Sequence, residues 1–118
     1  MIPQSPIGKE RLEMAKTETS VSKIRAFVKR LRTQFAIDKA IFFGSRARGD
    51  NLQTSDYDII LVSRDFEGIF FTERMALVYG FWDDPAVLEP LCYTPEEFER
   101  KKLQIGIVRQ AIREGIVI

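Results

Sequence analysis

Residues 41–63, IFFGSRARGDNLQTSDYDIILVS, constrain this chain more than any other stretch. An apolar run ends at Phe43, a basic segment bounded by Gly44 and Gly49 follows, and a second apolar run starts at Tyr57 between two acids. The second run is rich in β-branched and aromatic residues, the composition of a buried strand. Strand side chains alternate between faces, so Asp56 and Asp58 share one face and Tyr57 takes the other. Gly44 permits a tight turn and a close backbone approach that a side chain would block. Two carboxylates on one face suit a hard cation, and Mg²⁺ is usually held by one or two carboxylates plus phosphate oxygens. The segment between the strands supplies what phosphates need: backbone N–H groups near Gly44, the Ser45 hydroxyl, and the guanidinium groups of Arg46 and Arg48. These residues together imply a site for a metal–nucleoside triphosphate.

Gly44-Ser45, ten further residues, then Asp56-Tyr57-Asp58 resembles the Gly-Ser-x10-Asp-x-Asp signature of the DNA polymerase β-type nucleotidyltransferase superfamily. The longer pattern, Gly44-Ser45-Arg46-Ala47-Arg48-Gly49 followed by Ser55-Asp56-Tyr57-Asp58, is most similar to the minimal nucleotidyltransferases. These are small prokaryotic proteins, many of them antitoxins paired with a HEPN-domain toxin. The resemblance implies a nucleotidyltransferase palm, ATP as substrate and two Mg²⁺ ions held by Asp56 and Asp58. It also implies a third carboxylate from a later strand, for which Glu89 is the candidate, being the only acid in an otherwise uncharged run where an unpaired carboxylate is costly to bury. Gly44 and Ser45 would hold the β- and γ-phosphates. Arg46 and Arg48 would contact triphosphate, acceptor or partner.

The implied reaction is transfer of AMP to a hydroxyl, such as that of a tyrosine, on a HEPN-type ribonuclease or other helical protein subunit. Two alternatives stand beside it. One is a nucleotidyltransferase acting on an aminoglycoside-like small molecule or a nucleic acid end, with a partner subunit completing the acceptor site. The other is a non-catalytic nucleotide-binding module that neutralises its partner by contact. A homo- or hetero-oligomer agrees with the apolar residues at 105–108 and 116–118, which a second subunit would cover.

At 118 residues the chain has room for one core. Its 45% hydrophobic and 30% charged content is that of a folded protein. A net charge of +1 argues against broad electrostatic binding of nucleic acid. Cys92 is the single cysteine, so no intramolecular disulfide forms, and a buried structural thiol in a reducing compartment is expected. With no histidine, a Cys–His nucleophile, a histidine base and His-ligated zinc are all excluded. No apolar run approaches the roughly 20 residues that span a bilayer, and no signal-peptide core opens the chain. The expected location is cytoplasmic, with no membrane partner.

Around the central stretch, residues 1–18 read as an N-terminal arm, either mobile or docked on a partner, and residues 19–118 as the single domain. Val21, Ile24, Phe27, Val28, Leu31 and Phe35 follow helical spacing behind an N-cap at Thr19 or Ser20, and the interspersed cations form a solvated face. Strands are expected at 40–43, 57–62 and 86–93, the last made irregular or an edge by Pro90. A helix is expected over 70–81, with Phe71, Met75, Val78 and Tyr79 inward. Asp83 and Asp84 close it before Pro85 as turn formers, Asp50 is another turn residue, and Ser55 braces the strand entrance. Thr94-Pro95-Glu96-Glu97 carries a capping box and opens a helix running toward Lys102, with another over 105–114. The fold class is therefore α/β (α+β): a short mixed β-sheet flanked by helices.

Overall fold

A computed structural model describes residues 7–118. The element order is α1 (Ile7–Leu31), β1 (Ile37–Phe43), α2 (Ser45–Arg48), β2 (Tyr57–Ser63), a 3₁₀ turn (Arg64–Phe66), α3 (Phe71–Tyr79), β3 (Leu88–Tyr93), α4 (Pro95–Lys101), α5 (Ile107–Glu114) and β4 (Ile116–Val117). The strands form one mixed sheet in the order β3-β2-β1-β4. β1 runs antiparallel to both β2 and β4, while β2 and β3 are parallel and joined through α3.

Alternation along the strands builds two cores. Ala40, Phe42, Tyr57, Ile59, Leu61 and Cys92 face one side, where Ile24, Phe27, Val28 and Leu31 of α1 cover them together with Val78, Phe66 and Trp82. Ile41, Ile60, Val62 and Tyr93 face the other side, under Phe98 of α4 and Val108 and Ala111 of α5. Trp82 stands edge-on to both Phe27 and Tyr57, at 5.3 and 5.0 Å between ring centroids, and its indole N–H donates to Ala86 O. That packing fixes the loop leading into β3 against the start of β2.

Several expectations shift in position. α1 begins at Ile7, so residues 7–18 of the expected arm continue the helix, and residues 1–6 lie outside the described residues. Thr19 and Ser20 are interior to α1 rather than its N-cap: Thr19 Oγ1 donates to Ala15 O, and Ser20 is buried. The polar first half of α1 lacks an apolar stripe, which is why spacing alone misses it. β1 starts three residues earlier than 40, because Ile37 is buried although Asp38 and Lys39 interrupt the apolar run. In α3 the inward residues are Val78 and Arg74, while Phe71 and Tyr79 are exposed. Arg74 is tolerated inside because it donates to Ile69 O, Cys92 O and the Glu97 carboxylate. β4, expected only as apolar residues in need of cover, is an edge strand on β1.

Other expectations are met. The Thr94–Glu97 capping box is present with Pro95 at the first helical position. Cys92 is fully buried, and burial pushes its thiol up to about 12. Asp84 accepts from Ala86 N and Lys23 Nζ, and Asp83 accepts from Arg30, so the paired acids form the turn and tie it to α1. β3 with Pro90 is indeed a sheet edge. No helix among the described residues is long and apolar enough to cross a membrane.

Candidate nucleotide and metal site

The register of the sheet assembles the acids. Asp58 pairs with Phe43 on the antiparallel side and with Glu89 on the parallel side. All three therefore stand on the same sheet face as Ile60 and Leu91, with Phe43 packed against the core under α4 and α5. Asp58 and Glu89 lie within hydrogen-bonding reach of one another, and Asp56 is near enough to act on the Asp58 charge. Partial burial pushes the Asp58 carboxyl up to about 6; the Glu89 and Asp56 charges and the Glu89 hydrogen bond add to this, and Arg48 opposes it. Glu89 is exposed rather than buried, so the burial argument for it does not hold. Its position in register with Asp58 is what places it in the cluster.

Gly44 stands against this cluster with φ +85°, a conformation in which L side chains are strained. A Cβ there would lie 2.3 Å from Asp58 Oδ2, so a side chain at 44 would displace the carboxylate. The segment read as a loop forms a single helical turn, α2, that starts at Ser45. Its N–H groups at Ser45 and Arg46 have no partner within the helix, as holds for the first amides of any helix. The turn was hidden in the sequence because four residues with glycine on both sides carry no periodicity.

The two arginines separate. Arg48 is exposed and pairs with Asp50, which leaves it at the rim of the acids it influences. Arg46, expected to contact triphosphate, acceptor or partner, donates to Ser55 O, Gln53 O and Tyr57 Oη, and its guanidinium stacks 4.3 Å from the Tyr57 ring centroid. It holds the strand entrance closed on itself. Ser55 braces the same loop by accepting from Leu52 N.

On the opposite side of that entrance lies a cleft of about 800 Å³, lined by Lys16 and Lys23 of α1, Arg46, the 51–54 loop and the 84–87 loop. None of the three acids lines it. Asn51 does, and its Oδ1 is buried without a hydrogen-bond partner, the one such side-chain atom among the described residues. Neither Lys16 nor Asn51 was singled out from sequence, and no local signal marks them.

The acids fit a divalent cation completed by substrate. No group of three acidic, cysteine or histidine side chains among the described residues stands ready as a metal cage. A hard cation such as Mg²⁺ takes one or two carboxylates and leaves the remaining positions to phosphate and water. Asp58 and Glu89 held side by side with a raised carboxyl are the kind of like-charge pair that a cation relieves.

A mixed sheet whose parallel strands β2 and β3 set Asp58 beside Glu89, next to a glycine-bounded helical turn, is the arrangement of a nucleotidyl-transferring domain. The family comparison agrees: residues 21–116 match the nucleotidyltransferase domain family, and the chain belongs to that family. It is 34% identical over 99 residues to a Methanocaldococcus jannaschii protein named "putative protein adenylyltransferase", a match covering 80% of this chain and 93% of that one. A crystal structure described as a "putative nucleotidyltransferase" from Sulfolobus solfataricus superposes with a TM-score of 0.60 at 26% identity, covering 75% of this chain and 78% of that chain.

Proposed function

We propose that this nucleotidyltransferase is a Mg²⁺-dependent adenylyltransferase that moves AMP from ATP to a hydroxyl of a protein partner, as the antitoxin of a HEPN-type toxin. The observation that carries the chemistry is Asp58, set in register beside Glu89 and pressed against the Gly44 backbone. A protein acceptor is supported by the name of the Methanocaldococcus jannaschii relative.

In this reading the acceptor oxygen attacks the α-phosphorus, a new P–O bond forms, the bond to the β-phosphate bridge breaks, and pyrophosphate leaves. Negative charge gathers on phosphoryl oxygens, so positioning and electrostatics dominate. Asp56, Asp58 and Glu89 would hold Mg²⁺, which when bound lowers the pKa of the attacking hydroxyl and steadies the pyrophosphate. Ser45 Oγ and the amides at the start of α2 orient the β- and γ-phosphates. Glu89, exposed on the edge strand, meets the incoming hydroxyl and takes its proton. Arg48 stands at the rim against developing charge, and Arg46 keeps the strand entrance in place.

The cleft favours a second reading, in which the acceptor is not a protein. Its volume suits a small ligand. Lys16, Lys23 and Arg46 line the cleft together with Asp84, which pairs with Lys23, and an acceptor held there would have to extend past the strand entrance to reach the acids.

Incubation with α-labelled ATP and Mg²⁺, alone and with a co-purified partner, separates these readings by gel and intact mass. The partner should gain AMP, and Asp58→Asn should lose that transfer while still unfolding cooperatively, at a midpoint no lower than the wild type's. Measurable Mg·ATP binding with no label on any protein would overturn the protein-acceptor reading.

A further inference from the structure

We infer that the first half of α1 is the support that holds α2 in register with the acids, with Thr17 as its positioning residue. The inference deepens the nucleotide-binding part of the proposed function and rests on it. An isolated four-residue helix does not persist in water, because one turn cannot offset the cost of nucleation. Something outside α2 must hold it.

Two walls do so. At its start, Gly44 abuts Asp58. At its end, Gly49 has φ +84° and lies so close to α1 that a Cβ would fall 2.2 Å from Glu13 O and 2.7 Å from Thr17 Oγ1. Thr17 Oγ1 donates to Ala47 O at 3.2 Å, a carbonyl that the short helix itself leaves without a partner. One residue earlier in α1, Lys16 Nζ donates to Asn51 O at 3.1 Å and fixes the chain just beyond Gly49. Ala47 is buried in the core beneath these contacts. With α2 seated between Asp58 and α1, a sideways shift of α1 moves Ser45 relative to the acids. Residues 13–17 precede the segment that matches the family, so this support is supplied by sequence outside that match.

The test uses the full chain with Thr17→Val, Thr17→Ser and Thr19→Val. Thr19 is the control, because its hydroxyl bonds only to Ala15 O of its own helix. Calorimetric titration with Mg·ATP should show affinity falling roughly five- to tenfold in Thr17→Val, as for loss of one partly buried hydrogen bond, and staying near wild type in the other two. Amide hydrogen exchange at residues 45–49 should quicken in Thr17→Val and not in Thr19→Val. This second readout needs no nucleotide. If the wild type binds no Mg·ATP, the nucleotide reading fails while exchange still decides whether α1 supports α2. Unchanged exchange in Thr17→Val would overturn the inference. So would equal loss of affinity in Thr17→Val and Thr19→Val, which would mark a general effect on α1.

Discussion

Asp58 is the residue under most tension. Partial burial, the neighbouring acids and the Glu89 hydrogen bond hold its carboxyl at about 6, so the folded chain binds this proton more tightly than the unfolded chain does. Its contribution to stability is therefore complete below the ordinary value of 3.8 and is lost as the pH rises through about 6. Because the group is partly solvated, the loss is on the order of 1 kcal/mol after screening. Asp58→Asn should consequently melt higher than the wild type at pH 7.5 without metal, with the gap closing near pH 4 in thermal scans. Mg²⁺ needs the ionised carboxylate, so metal affinity should fall as the pH drops below about 6, measurable by titration at several pH values. In the proposed site Ser45→Ala would remove one donor to a phosphate and should raise the apparent Kd for Mg·ATP by roughly tenfold or more, with the unfolding midpoint little changed. An unchanged Kd would remove Ser45 from the nucleotide contacts.

Among the elements, α3 and α4 show how a local motif acquires a longer-range duty. The Thr94–Glu97 capping box is a property of four consecutive residues, yet the Glu97 carboxylate also receives the Arg74 guanidinium. Arg74 sits buried over the Phe66 ring and donates to Cys92 O on β3. Hydrogen bonding to Arg74 holds the Glu97 carboxyl below its ordinary 4.5, so this stabilisation is present above that value and weakens as the pH falls through the lowered one. Glu97→Gln should cost about 2 kcal/mol in urea unfolding, since it leaves a cation buried with less compensation. A cost below about 0.5 kcal/mol would reduce the pair to an ordinary surface ion pair.

For the whole molecule, ligand binding and folding are linked, because α2, the strand entrance and the acid cluster come together only in the packed sheet. Mg·ATP at about 100 times its Kd should add about 2.7 kcal/mol to stability and raise Tm by several degrees. Asp58→Asn should show little of that shift, and an equal shift in the variant would place the nucleotide elsewhere. Outside the cores, Leu103 and Ile105 between α4 and α5 and Ile107 at the start of α5 are exposed, with Ile105 at 93%. Val108, from the same apolar run, is buried in the chain's own core, so the run divides between core and surface.

The two strands with their glycine-bounded connection and two acids were legible from residues alone, because glycine placement, side-chain alternation and spacing are local rules, whereas the helical turn inside that connection was not. The capping box at Thr94 and the buried Cys92 were legible for the same reason. The length of α1 was not, since a polar helix half without an apolar stripe declares itself only through what it touches. Strand order, the pairing of Glu89 with Asp58, the internal role of Arg46 and the contact of Thr17 with Ala47 join residues that are distant in sequence or turned by packing. Those were decided by the tertiary structure, because register and burial depend on which surfaces the whole chain brings together.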